Sequence, residues 1–300
     1  MSMPSRNLLC RLAARRGLEA AARPAPASVH FMAADGLQLH YLDWIGGPET
    51  LVLLHGGLLS AHTFDLLALA VGPAYRCVAL DLRGHGESGW ADEYPVDRSA
   101  DDVCDLVGRL GASDVHLVGM SLGGCVAGYA AAQLDRRLAS LTFVDVGARV
   151  DFEAIAGMRA FLEPVRSVPS VEDLVAQALR VSSNADADLL LYRYQSMLRG
   201  GPDGFVWRAD RRRPTDFAHI LDRMAALPAL APAIQCPVLV ARGGRSRVLT
   251  DATAAAFAGA FRSGRSTTIQ DASHNVQEDA PVALAAAIID LIATARSVAA

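Results

Sequence analysis

Gly119-Met120-Ser121-Leu122-Gly123 follows an apolar run at 115–118 and leads into Gly124-Cys125-Val126-Ala127. A strand that turns sharply into a helix leaves little room for side chains, and the small residues around Ser121 meet that demand. The serine hydroxyl then projects from the edge of a sheet. The N–H of Leu122 falls at the start of the helix, where amides lack intrahelical acceptors and favour negative charge. A serine presented beside such a donor is the arrangement that acyl-transfer chemistry uses.

Outward from this turn, short apolar runs alternate with helical patterns from residue 28 onward. That alternation predicts a mostly parallel eight-stranded sheet with helices on both faces. The expected strands are 28–33 and 37–44, flanking the turn Ala34-Asp35-Gly36, then 51–54, 78–82, 115–118, 141–144, 238–241 and 267–270, with a last helix over 281–295. Between 146 and 234 helical periodicity continues, as at 171–181 and 186–199, without a recognisable buried strand. So long a stretch is too much for a loop and reads as an inserted helical cap over one end of the sheet. The core is thus 28–145 with 235–300.

Composition excludes several classes. The 300 residues are 52% hydrophobic and 20% charged with a net charge of −4, which argues against disorder and against a nucleic-acid partner. No window is long and apolar enough to span a membrane. All 28 cationic side chains are arginine, and the five cysteines form no C-x-x-C pair, suiting a reducing, cytoplasmic setting without a metal site. Residues 1–27 carry Arg6, Arg11, Arg15, Arg16 and Arg23 against Glu19 and end in a Pro-Ala run, reading as a basic, disordered or loosely docked leader. A transit peptide shares this composition.

Ser121 needs a base and a second oxyanion donor. His55-Gly56-Gly57 ends the 51–54 run at the same edge of the sheet, and the N–H of Gly57 is the expected donor, with His55 bracing the loop. Of eight histidines, His274 follows the last strand and keeps the chain order serine, acid, histidine. His85 competes from the loop after Asp81, but it precedes the serine.

These motifs, His55-Gly56-Gly57, Asp81 to Ser88, Gly119 to Gly123 and His274, make residues 28–298 resemble the α/β-hydrolase superfamily. The resemblance implies an α/β-hydrolase fold with a helical lid above Ser121. Haloalkane dehalogenases and epoxide hydrolases carry aspartate at the nucleophile position, so Ser121 separates the chain from both. In most of the superfamily the acid follows the strand that is here 238–241. That loop reads Arg242-Gly243-Gly244-Arg245-Ser246-Arg247-Val248, and its first carboxylate is Asp251. Asp145, after the 141–144 strand, is the alternative. A branch of small esterases and thioesterases, bacterial with mitochondrial relatives, places its acid there and has a serine-bearing, acid-free later loop. The similarity assigns the role to Asp145, with Asp251 and Asp271 as competitors. Asp81 and Arg83 are expected to be structural.

Phe152, Met158, Phe161, Tyr192, Tyr194, Met197, Phe205 and Trp207 supply lid core and part of an apolar pocket. Met120, Tyr192, Trp207 and Arg208 are the expected substrate contacts. The run Arg208, Arg211, Arg212 and Arg213 is either a solvated surface or a clamp for a substrate carboxylate or phosphate. The expected function is a serine hydrolase cleaving a carboxylic ester or thioester through an acyl-enzyme, without cofactor or metal. A lactonase or C–C bond hydrolase with the same triad is the nearest alternative, and a small-molecule binding module without turnover is the alternative from another class. The expected partner is a small-molecule ester, thioester or lactone, and the sequence admits a homodimer.

Overall fold

A computed structural model describes residues 4–20, 23–134, 138–151, 167–181, 185–202, 204–212 and 216–299. In chain order these form α1 (Arg6–Ala14), β1 (Ala27–Met32), β2 (Gln38–Trp44), β3 (Thr50–Leu54), α2 (Asp65–Val71), β4 (Arg76–Asp81), α3 (Val96–Leu110), β5 (Val115–Met120), α4 (Leu122–Leu134) and β6 (Leu138–Val144). There follow β7 (Ser167–Val168), α5 (Val171–Val181), α6 (Ala187–Met197), β8 (Leu198–Gly201), β9 (Gly204–Trp207), α7 (Phe217–Ala226), β10 (Val238–Gly243), α8 (Asp251–Ala258), β11 (Gly264–Ile269) and α9 (Pro281–Ala299).

Eight strands form one sheet in the order β1-β2-β4-β3-β5-β6-β10-β11, parallel from β4 to β11 and antiparallel at the β1-β2-β4 end. Every residue of β3, β5 and β10 is buried, which is why these strands read as unbroken apolar runs: both faces of the sheet are covered. Along α3, Val96, Ala100, Val103, Leu106 and Val107 bury one stripe, and Gly111 at φ 60° ends the helix in the left-handed conformation. Helix α4 is buried nearly all round and is built of small residues that let it lie close to the sheet.

The structure corrects two expectations. Residues 1–27 are not a disordered leader throughout. Ser5 caps α1, accepting the Leu8 N–H, and Leu8, Leu12 and Ala13 are buried in a cluster with Leu66, Leu189 and Tyr192. Arg15 pairs with Asp186 and Asp188 at the start of α6. The guanidinium of Arg23 is buried and donates to the carbonyls of Ala68, Gly72, Trp44 and Tyr75 at 2.6–2.9 Å. Each of those carbonyls gains a donor, so the cation enters the interior with backbone oxygens as partners. The insertion, second, is not wholly helical: β7, β9 and β8 form a three-stranded antiparallel sheet within it. Phe152, Met158, Phe161 and Arg213 lie outside the described residues. Among the described residues no helix is long and apolar enough to cross a membrane.

Candidate active site

Parallel strands deliver their following residues to one edge of the sheet, and that edge is where open α/β sheets bind ligands. Ser121 follows β5, Asp145 follows β6, Gly243 ends β10 and His274 lies in the segment after β11. In the register, Met120 pairs with Val144 and Ala241 with Val144, so the four segments emerge side by side.

Ser121 is half-buried and takes φ 52°. Its carbonyl starts α4 by accepting the N–H groups of Gly124 at 2.9 Å and Cys125 at 3.1 Å. Leu122 is the first residue of that helix, where amide N–H groups have no intrahelical acceptor. Gly123 is indispensable to the turn: a Cβ there would lie 2.1 Å from the Leu54 carbonyl oxygen. Gly56 is equally confined, since a Cβ would lie 2.6 Å from Met120 Sδ and 3.3 Å from Ser121 Cβ. Gly56 is thus pressed directly against the serine, with Gly57 exposed beside it.

His55 has both ring nitrogens occupied. Nδ1 donates to the Gly56 carbonyl at 2.8 Å, and Nε2 accepts the Leu82 N–H at 3.0 Å. Burial, aided by the nearby His85, pushes its pKa down to about 4, so it is neutral and braces the loop. Asp81 ties the loops after β3 and β4 together, accepting the Ala61 N–H at 2.7 Å, the Glu87 N–H at 3.0 Å and His40 Nδ1 at 2.7 Å. Burial alone would raise its pKa, but the His40 bond, the nearby histidine charges and the Glu87 amide hold it down to about 2. Arg83 grips Asp102 with two bonds of 2.7 and 2.6 Å.

Asp145 is fully buried and takes φ 50°. One carboxylate oxygen accepts the Gly243 N–H at 3.0 Å, and the other accepts the Ser246 hydroxyl and His274 Nδ1, the last at 2.7 Å. A buried carboxylate with three donors is a satisfied one. The pairing leaves His274 Nε2 as the other ring nitrogen, directed away from the carboxylate by the geometry of the imidazole. The rival Asp251 is exposed and bonded to Arg242 and Thr268, each at 2.6 Å. His85 Nδ1 faces the Arg83 carbonyl at 3.1 Å. The turn Val276–Asp279 fixes the histidine segment from behind: Asp279 accepts the Ser273 N–H at 2.8 Å, and Glu278 accepts Thr63 Oγ1 at 2.6 Å and Arg193 Nε at 2.7 Å.

Residues 51–287 match the alpha/beta hydrolase family. This chain belongs to that family. The hydrolase is 31% identical over 257 residues to the esterase Rv0045c of Mycobacterium tuberculosis, covering 81% of this chain and 82% of that one. It is 29% identical over 268 residues to the 3-hydroxybutyrate-oligomer hydrolase of Cupriavidus necator, covering 83% and 89%. The crystal structure of the mycobacterial esterase superposes with a TM-score of 0.74 at 26% identity, covering 95% of this chain and 96% of that one. E-2-(acetamidomethylene)succinate hydrolase, at 23% identity and a TM-score of 0.76, shares the fold over 89% of this chain and 99% of its own.

The expected substrate contacts in this hydrolase fall in different places. Met120 is buried beneath Gly56. Arg208 lines an open pocket at the edge of the insertion. Tyr192 and Trp207 are both buried in packing, as aromatic residues at helical or strand spacing most often are. The Tyr192 hydroxyl is committed to Asp65, and Trp207 packs in the core with Arg211 over its ring at 5.0 Å. Sequence reasoning missed Ser246 as a partner of Asp145. Its signal was a hydroxyl in a loop otherwise without an acid.

Proposed function

We propose that this hydrolase cleaves carboxylic esters or thioesters through an acyl-enzyme on Ser121. The observation that carries the reading is the 2.7 Å bond between His274 Nδ1 and the buried Asp145, at the sheet edge where Ser121 occupies its strained turn. The likeness to the mycobacterial esterase supports ester cleavage, and the likeness to the 3-hydroxybutyrate-oligomer hydrolase supports hydrolysis.

In this reading Asp145 fixes the imidazole tautomer with the proton on Nδ1, leaving Nε2 as the base. Nε2 removes the Ser121 proton as Oγ attacks the carbonyl carbon. Negative charge gathers on the carbonyl oxygen, and the N–H groups of Gly57 and Leu122 receive it, usually the largest single contribution to such catalysis. Asp145 stabilises the imidazolium. The tetrahedral species expels the alcohol or thiol, which takes its proton from His274. Water, deprotonated by the same nitrogen, then releases the acid and restores Ser121. In this reading the described part of the insertion, from β7 to α7, covers this edge and sets acyl preference.

Turnover of p-nitrophenyl esters from acetate to palmitate, with intact mass after exposure to paraoxon, tests the reading. The expected result is ester turnover and a single diethylphosphoryl adduct, both lost in Ser121→Ala. An adduct or turnover that survives Ser121→Ala overturns it.

A further inference from the structure

The loop after β4 and the small sheet of the insertion flank an open pocket of about 490 Å³, within the size range of small-molecule sites. Its walls include Glu87 and Trp90 on one side and Arg199, Gly200 and Arg208 on the other. Neither Ser121 nor His274 lines it.

The charges at this pocket are unevenly compensated. Arg208 is buried, ion-paired with Glu87 and bonded through Nε to the Leu198 carbonyl at 3.0 Å. Arg212, with its guanidinium 5.1 Å from the Trp90 ring, pairs with Asp210 at 2.8 Å. Arg199 is exposed, with its guanidinium 5.4 Å from the same ring, and forms no ion pair among the described residues. Glu87 does not repel an incoming anion, because Arg208 neutralises it. Stacking on an indole restrains a guanidinium while leaving its N–H edge open for a planar, two-point contact with an oxyanion. Arg208, Arg211 and Arg212, which the sequence offers either as a solvated surface or as a clamp, have partners of their own, and among the described residues that line the pocket the cation open to a ligand is Arg199.

The pocket is also joined to the frame of Ser121. Glu87 donates its N–H to Asp81, whose other carboxylate oxygen holds Ala61 in the loop that follows the glycine pair. The ring of His85, in the same loop as Glu87, lies 5.1 Å from that of His55, the residue before Gly56.

We propose that this pocket seats an anionic group of the substrate, a carboxylate or a phosphate, on Arg199, with the adjoining carbon chain against Trp90. The inference rests on the ester-hydrolase reading of Ser121 and narrows its substrates to esters or thioesters that carry a charge remote from the reacting carbonyl. The charge has two sources, the acid half or the leaving group, and the substrates below separate them.

The test compares kcat/KM for two matched pairs: monoethyl adipate against ethyl hexanoate, and butyryl-coenzyme A against S-butyryl-N-acetylcysteamine. Wild type, Arg199→Gln and Arg199→Lys are assayed. A charge-assisted contact predicts that the charged-to-neutral ratio falls about tenfold or more in Arg199→Gln, through KM, in at least one pair. Arg199→Lys should recover part of the loss, and the responding pair identifies which half carries the charge. A ratio that moves by less than about twofold in both pairs overturns the proposal, given the size of such contacts. Calorimetric titration of adipate and of free coenzyme A into wild type and Arg199→Gln reads the pocket without turnover. Binding by wild type that is lost in the variant upholds the pocket even if no ester is cleaved, in which case only the esterase reading fails. Wild type that binds neither probe and discriminates in neither pair contradicts it.

Discussion

Ser121 and Asp145 leave neighbouring strands at the same level of the sheet. Met120 pairs with Val144, the Ser121 N–H donates to the Val144 carbonyl at 3.2 Å, and the two residues turn at φ 52° and 50°. For non-glycine residues each such turn costs about 1 kcal/mol, so the flanking strands must over-determine both. The consequence is directional: the serine is presented at the end of β5 while the carboxylate reaches past β10 to His274.

Ser246 donates to the carboxylate oxygen that also faces His274, and so helps to orient it. Ser246→Ala is expected to lower kcat on p-nitrophenyl butyrate by roughly three- to tenfold, the net worth of one ordinary hydrogen bond, because Gly243 and His274 still hold the carboxylate. KM should change little, because Ser246 touches no proposed substrate position. A kcat equal to wild type would remove Ser246 from the positioning of Asp145.

The pH dependence of stability follows from His55 and Asp81. A folded His55 with a pKa of about 4 takes up a proton less readily than the unfolded residue at 6.5, so the folded state loses stability as pH falls from 6.5 towards 4. The shift amounts to about 3 kcal/mol for this fully buried ring. Asp81, held down to about 2, adds stability that is present above pH 3.8 and lost as pH falls below that value. Tm measured from pH 8 to pH 4 should therefore be level at first and fall steeply below 6.5. A flat profile to pH 4 would contradict the buried neutral His55.

Helix α1 docks through Leu12, which is fully buried against α2 and α6 residues. Leu12→Ala is expected to cost about 2 kcal/mol, appearing as a Tm lower by a few degrees. An unchanged Tm would mean that α1 contributes nothing to the fold.

The strands and the serine turn were legible because each is dictated locally, whereas Asp145 was reached only through the resemblance to a branch of esterases and thioesterases. Fully buried parallel strands give unbroken apolar runs, and the serine turn demands small residues whatever lies far away. Helix α1 escaped notice because five arginines and a Pro-Ala run dominate residues 1–27, although Ser5 with Leu8 and Leu12 at helical spacing was present as a signal. The insertion's small sheet was equally readable in part: Gly200-Gly201-Pro202 separates Leu198 from Phe205-Val206-Trp207, a hairpin pattern hidden by the helical run before it. What a short sequence window does not contain is the partner of a charge. Whether Arg208 is free or spent depends on Glu87, 121 positions away in the chain. The same holds for Tyr192 and Asp65, separated by 127.

Asp145, not Asp251, is the carboxylate bonded to His274. Its role is tested most directly by kcat/KM on p-nitrophenyl butyrate for Asp145→Asn and Asp251→Asn. Asp145→Asn should fall roughly a thousandfold or more, as loss of the supporting acid does in serine hydrolases, while Asp251→Asn stays within about twofold of wild type. A dead Asp251→Asn beside an active Asp145→Asn would contradict the account.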